Sequence, residues 1–246
     1  MKTKTLVFLG TLVMLLPQAQ ANTTVLSDST FSNVNWSSVS LLQFGAPAAV
    51  VSFGQVGAGG NPGSYMAFSA TQGALNSIPQ YNIVAGILGI ALLQYNPSTQ
   101  GAITGISFST DLEGLSPSAG CFVNPFIEQN GKYFVTGQAS TYVSGTTGWA
   151  TLSGAISNPA TAFSCYNALG QQISGGLDLT STGGAITFGI GVEEGSGAPI
   201  YGNFGVDNIS YTLTTTDPLP EPSTYAAAVM GFGMLVGIQQ LRKRVK

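Results

Sequence analysis

Short runs rich in Val, Ile, Thr, Phe and Tyr recur along residues 22–217, separated by clusters of Gly, Asn, Pro and Ser. That punctuation is typical of strands closed by turns, and almost no stretch repeats its apolar residues at helical spacing. The pattern predicts strands at Val39–Phe44, Ala48–Phe53, Tyr65–Ala70, Leu88–Tyr95, Ile103–Thr110, Phe122–Gln129 and Lys132–Thr136. Further strands are expected at Thr141–Ser144, Trp149–Ile156, Thr161–Tyr166, Gly176–Leu179, Ile186–Val192 and Phe204–Leu213. Asn130-Gly131, flanked by apolar residues, predicts a two-residue hairpin turn. Strands this numerous and closely spaced imply an all-β fold, an antiparallel sandwich or barrel. One segment departs from alternation: Ile83–Leu93 is an apolar run broken by Gly86 and Gly89. It is too short for a spanning helix and reads as a buried strand preceded by an irregular stretch.

Both ends of the chain carry longer apolar stretches with charged flanks. Lys2 and Lys4 precede an apolar core from Leu6 to Leu16, followed by the small-x-small site Ala19-Gln20-Ala21. That order is a secretory signal peptide over residues 1–21, so the mature chain is expected to begin at Asn22. At the other end, Pro218, Pro220 and Pro222 fix an extended segment around Glu221. An apolar stretch of 17 residues follows, Tyr225 to Leu241, which as a helix is roughly 26 Å long and just spans a bilayer core. Arg242, Lys243, Arg244 and Lys246 then hold the end on the cytoplasmic side. Pro220-Glu221-Pro222, an apolar helix and a basic tail, in that order, resemble the PEP-CTERM sorting signal of Gram-negative bacteria. The resemblance covers residues 218–246 and implies handling by an exosortase, a membrane-embedded cysteine transpeptidase-like enzyme. It also implies transient anchoring in the inner membrane, then delivery to the cell surface or medium in association with extracellular polysaccharide and biofilm.

Setting both ends aside changes the charge. Of the seven basic residues only Lys132 lies between residues 22 and 217, against nine acidic residues there, so this body carries −8 where the whole chain carries −3. Without a basic patch it has nothing to hold phosphates, and nucleic acid is excluded as a partner. Its polar surface of Ser, Thr, Asn, Gln and Gly suits neutral polymers, or anionic ones bridged by divalent cations. Cys121 and Cys165 are the only cysteines; in an oxidising compartment they are expected to form a disulfide, worth roughly 4 kcal/mol on the chain-entropy model.

Three phrases of the body resemble the jelly-roll sandwiches of carbohydrate-binding modules and galactose-binding-like domains. They are Thr146-Thr147-Gly148-Trp149-Ala150-Thr151-Leu152-Ser153-Gly154, the closing Gly205-Val206-Asp207-Asn208-Ile209-Ser210-Tyr211-Thr212-Leu213, and the turn Gly59-Gly60-Asn61-Pro62-Gly63-Ser64-Tyr65-Met66. In such modules a structural calcium often ties the first strand region to the last, and the resemblance implies Asp28, Asn61 and Asp207 for that part. Calcium also suits a chain rich in carboxylate, amide and carbonyl oxygens.

The chain has no histidine, which removes Ser-His-Asp and Cys-His nucleophilic schemes and histidine zinc sites. A glycosidase needs only two carboxyl groups, and Glu113, Glu128, Glu193 and Glu194 are the candidates. The adjacent pair Glu193-Glu194 would point to opposite faces of a strand. For sugar binding, where rings stack on apolar sugar faces, the platforms are Trp36 and Trp149, with Tyr142, Tyr166 and Tyr201 beside them. The sequence therefore reads as an exported, single-domain, non-catalytic surface or matrix protein. A calcium-dependent carbohydrate-binding module is the alternative and a glycosidase the third reading. An exposed aromatic row on one sheet would favour the second, and facing carboxyls in a groove the third.

Overall fold

The computed structural model describes residues 21–42, 50–72, 82–115, 121–195 and 200–216. Residues 1–20 of the expected signal peptide (1–21), and residues 217–246 with the expected sorting tail and transmembrane helix, lie outside these. Among the described residues no helix is long and apolar enough to cross a membrane. In chain order the strands are β1 (Ala21–Asp28), β2 (Trp36–Leu42), β3 (Val50–Gly60), β4 (Gly63–Gln72), β5 (Asn82–Gly89), β6 (Gln94–Tyr95), β7 (Ile103–Gly114) and β8 (Cys121–Gln129). They continue with β9 (Lys132–Val135), β10 (Thr141–Val143), β11 (Ala150–Ile156), β12 (Ser164–Tyr166), β13 (Gln172–Ile173), β14 (Ile186–Gly195) and β15 (Ile200–Thr216). Among the described residues one α-helical turn, Pro97–Gln100, is capped by the Asn96 side chain, and a 3-10 turn spans Asn33–Asn35.

The strands form two sheets. A six-stranded sheet runs β11-β7-β15-β4-β3, with β1 also on β15; a nine-stranded sheet runs β13-β12-β9-β8-β14-β5-β2, with β10 on β8 and β6 on β14. The paired strands run antiparallel, and alternation along each sends one set of side chains between the sheets. Phe68, Phe108, Phe204 and Tyr211 of the smaller sheet meet Ile87, Val123, Ile127 and Phe188 of the larger in one core. Tyr211 is the hinge pin of that contact. Its ring lies 4.7 Å from Phe188 and 5.0 Å from Phe108, and its hydroxyl donates to the Gly189 carbonyl of the opposite sheet. Burial pushes its pKa well above the usual phenol range.

The expected hairpin is present, with Asn130 and Gly131 both at positive φ (55° and 72°), the geometry of the turn that joins two-residue hairpins. The expected order of the Ile83–Leu93 run is reversed: the strand comes first, as β5, and the irregular stretch follows it, so no strand runs from Leu88 to Tyr95; Gly89 lies tight against Leu93 where the chain turns. Two further expectations are corrected, and one strand is new. Gly176–Leu179 forms no ladder; it is held instead by Gln129, which donates to the Asp178 carbonyl and accepts from the Asp178 N–H. β1, not expected at all, pairs along its whole length with β15. Cys121 and Cys165 are not bridged. The register puts Cys165 opposite Phe134, and Phe134 opposite Ile127. Cys121 lies six residues further along β8, which at about 3.3 Å per residue puts the two cysteines on the order of 20 Å apart, far beyond disulfide reach.

Candidate functional site

Because β8 alternates, Phe122, Asn124, Phe126 and Glu128 share the face of the larger sheet turned away from the core. The register sets Phe122 beside Tyr142 on β10, Phe126 beside Val135, and Glu128 beside Tyr133 on β9. On the other flank β14 offers Gly189 opposite Phe126 and Gly191 opposite Asn124, with Glu193 at the register position opposite Phe122. Part of this face is closed by a second apolar cluster of Leu88, Phe126, Val135 and Tyr166, with Val39 and Tyr133 packed against it. Tyr133 stacks on Phe126 at 5.9 Å, and burial with the nearby Glu128 carboxylate raises its pKa.

The row opens at Phe122 and Tyr142. These two rings are 49 % and 53 % exposed, and their centroids lie 5.2 Å apart. Next to them, between β10 and β11 at the open edge of the sandwich, is a cleft of about 310 Å³ walled by Tyr142, Thr141, Ser144, Thr147 and Thr151. Leu112, Val143, Ala150 and Leu152 complete the lining, which has no charged side chain. One step along β8 from Phe122, the side-chain nitrogen of Asn124 is buried without a hydrogen-bond partner, a costly state for a donor.

The two tryptophans fall elsewhere. Trp36 is only 4 % exposed, stacks on Phe31 at 5.7 Å and donates its Nε1–H to Asp28. It belongs to the core and is no sugar platform. Trp149 is half-buried on the outside of the smaller sheet, where its Nε1–H donates to the Gly59 carbonyl and its ring meets Tyr65 edge-on at 5.4 Å. Gly205 is required beneath it, since a Cβ there would lie 2.9 Å from the indole. Tyr166 is buried, and the Tyr201 side chain lies outside the described residues.

The calcium candidates divide in the same way. Asn61 and Asp207 are together, since the Asn61 N–H donates to Asp207 Oδ2 at 2.5 Å. Asp111, which sequence reasoning did not select, completes the group: the register sets it opposite Asp207. Its carboxylate accepts from Asn61 Nδ2, Asn208 Nδ2 and the Thr151 hydroxyl. Asp207 is fully buried and Asp111 8 % exposed. Asp28 is not part of this group. Its Oδ1 caps the turn after β1, accepting from the Thr30 N–H and hydroxyl and the Phe31 N–H, while Oδ2 takes Trp36. Every Asp28 oxygen is committed within ten residues, so it cannot tie first strand to last. Among the described residues no group of three or more acidic, cysteine or histidine side chains converges.

Glu113 and Glu128 do not make a hydrolase pair either, and the side chains of Glu193 and Glu194 lie outside the described residues. Glu113 lies on the outer face of the smaller sheet, beside Gly205, and Glu128 on the outer face of the larger, so the whole core separates them. Glu128 is also engaged by the Gly131 N–H of the hairpin.

No protein-family model matches the chain, and no curated protein matches it. Several solved structures are similar in outline. A family 11 carbohydrate-binding module from Clostridium thermocellum, in complex with a β-1,3-1,4-mixed-linked tetrasaccharide, is 22 % identical with a TM-score of 0.45, covering 76 % of this chain and 94 % of that one. The CBM22-1 xylan-binding domain of Paenibacillus barcinonensis Xyn10C is 11 % identical with a TM-score of 0.41, over 78 % of this chain and 94 % of that one. The mannan-recognising module TmCBM27 is 10 % identical with a TM-score of 0.38, over 79 % and 99 %. Likeness at this level carries nothing about a ligand, which has to be read from this chain's own residues.

Proposed function

We propose that the body is a non-catalytic binding domain for a neutral polysaccharide, exported by its signal peptide and sorted by an exosortase through the tail that begins at Pro218. One observation carries the binding reading: the exposed Phe122–Tyr142 pair beside an uncharged cleft of mixed hydroxyl and apolar lining. Two adjacent rings in water lose apolar hydration when covered, and a sugar ring has an apolar face to cover them with. The hydroxyls of Thr141, Tyr142 and Ser144 on the cleft match sugar hydroxyls. The body's charge of −8 favours uncharged glycans over polyanions. Affinity electrophoresis against neutral and anionic polysaccharides tests this: a neutral glycan is expected to retard the protein, and migration unchanged in every gel would sink it.

The buried Asp111 and Asp207 support calcium as the ion of this domain. Two carboxylates opposite each other in a sheet repel, and no basic side chain is among their hydrogen-bond partners. Asn61 and Asn208 each have an amide oxygen to offer an ion on turning over. The sorting reading rests on Pro220-Glu221-Pro222, the apolar helix and the basic tail. Replacing Glu221 in the native host is expected to leave an unprocessed, membrane-retained chain; an unchanged mature mass would remove the sorting assignment.

A further inference from the structure

At the end of the sandwich opposite the Tyr142 cleft lies a second, larger groove of about 630 Å³. Its walls are Ile103 at the start of β7, Pro159 in the turn after β11, and Leu177 and Leu179 in the segment clamped by Gln129. Ile103 and Leu179 are joined by a backbone hydrogen bond of 2.8 Å, and Gly176 lets that segment approach Ala160 closely. Ile103, Leu177 and Leu179 form an apolar floor continuous with the core, and Thr104, Asn158, Thr161, Thr180 and Ser181 complete a lining without charge.

The position of the chain end identifies the occupant. β15 finishes at Thr216, whose N–H donates to the carbonyl of Ala102, itself a lining residue of the groove. The next residues are Asp217-Pro218-Leu219-Pro220. β15 lies on one side of β7, and the turn after β11 lies on the other. Strands are about 4.8 Å apart, so a chain crossing the start of β7 needs roughly 10 Å to reach that turn, which three extended residues at about 3.1 Å each provide. Pro218 and Pro220 hold the segment extended in advance, which lowers the entropy lost on docking. Leu219 is the one large apolar side chain before the Pro-Glu-Pro.

We infer that Pro218-Leu219-Pro220 docks in the groove formed by Ile103, Pro159, Leu177 and Leu179, with Leu219 as its anchor. Docking fixes where Glu221 leaves the body, so the segment a processing enzyme must grip is presented by the folded domain. The inference does not depend on glycan binding, nor on which enzyme handles the tail.

Methyl NMR of the full chain in detergent, with labelled Ile, Leu and Val, tests it. Nuclear Overhauser cross-peaks are expected from the Leu219 methyls to those of Ile103, Leu177 or Leu179, and Leu219→Ser should shift the same body methyls. Leu219 at random-coil shifts without such cross-peaks would overturn the inference. So would contacts to a different surface, or cross-peaks that isotope filtering assigns to a second copy of the chain. Leu219 follows β15 in the sequence and is no member of the described core, so the variant tests docking without removing a core residue.

Discussion

Replacing Asp28 by alanine should destabilise the body by more than any exposed acidic substitution. The Asp28 carboxylate accepts four hydrogen bonds. Its two Thr30 donors are near the surface and can turn to water. The Phe31 N–H and the Trp36 Nε1–H cannot, since those residues are 0 % and 4 % exposed. Leaving two buried donors unpaired costs about 1–3 kcal/mol each, so the loss is roughly 3–4 kcal/mol. Phe31 adds to the dependence, because it sits at φ 51°, a left-handed conformation that a bulky residue rarely adopts, and the Asp28 cap helps hold it there. For a domain of this size, that loss is a fall in melting temperature on the order of 10 °C. Asp28→Asn keeps the acceptor for Phe31 but turns an N–H₂ toward the indole N–H, and should lose about half as much.

The pH dependence has a definite sign. Burial raises the Asp28 pKa, but the hydrogen bonds from Thr30, Phe31 and Trp36 outweigh it and leave the carboxyl below its usual value. The stabilisation is therefore present above the unfolded pKa, about 3.9, and is lost as pH falls through the lower folded value. Urea unfolding of wild type, Asp28→Ala and Asp28→Asn at pH 7 and pH 3 measures this. The gap between wild type and Asp28→Ala should be wide at pH 7 and narrower at pH 3. A loss under about 1 kcal/mol at pH 7 would refute the cap as the role of Asp28.

Wild-type protein should melt at the same temperature with and without reductant, and both thiols should react with a thiol reagent only after unfolding. Burial supports that slow reaction at Cys165, where it raises the thiol pKa against the opposing pull of Lys132. A mass short by two hydrogens, or a lower melting point in reductant, would restore the disulfide. Calcium should raise the melting temperature of wild type, by about 2.7 kcal/mol of stability at a hundredfold excess over Kd, and should not raise that of Asp111→Asn. Equal shifts in both proteins would place the ion elsewhere, and none in either would remove it. Gly205→Val should destabilise the outer face of the smaller sheet, because its side chain would displace Trp149 and Tyr65; unchanged stability and tryptophan fluorescence would contradict that packing.

Strand positions were largely legible because alternation and turn residues are local signals. Asn130-Gly131 fixed one hairpin, and the β7, β8, β14 and β15 cores appear where their Val, Ile and Phe runs lie. β1 escaped notice because Asn22-Thr23-Thr24-Val25-Leu26 is mostly polar; its reason to be a strand is β15, nearly two hundred residues away. The disulfide failed for a related reason: compartment and count say that two cysteines can pair, but only register says how far apart they are. Trp36 lies between the polar residues Asn35 and Ser37, yet the buried acceptor at Asp28 draws its indole inward. Phe122 was inside an expected strand, but β8 has apolar residues on both faces, so alternation did not show which of its rings meets solvent. Asp111 was hidden in the same way, since only the pairing of β7 with β15 brings it to Asp207.

If the Phe122–Tyr142 pair holds a sugar, removing both rings must weaken binding. The most direct measurement is the calorimetric affinity of wild type and of Phe122→Ala/Tyr142→Ala for the neutral polysaccharide that retards the protein most. Both rings are half exposed and outside the main core, so the variant should keep the wild-type fold by circular dichroism. At about 1–1.5 kcal/mol for each ring uncovered, affinity should fall on the order of 30- to 150-fold. Binding of the folded double variant at wild-type strength would contradict the account and place the glycan on another face.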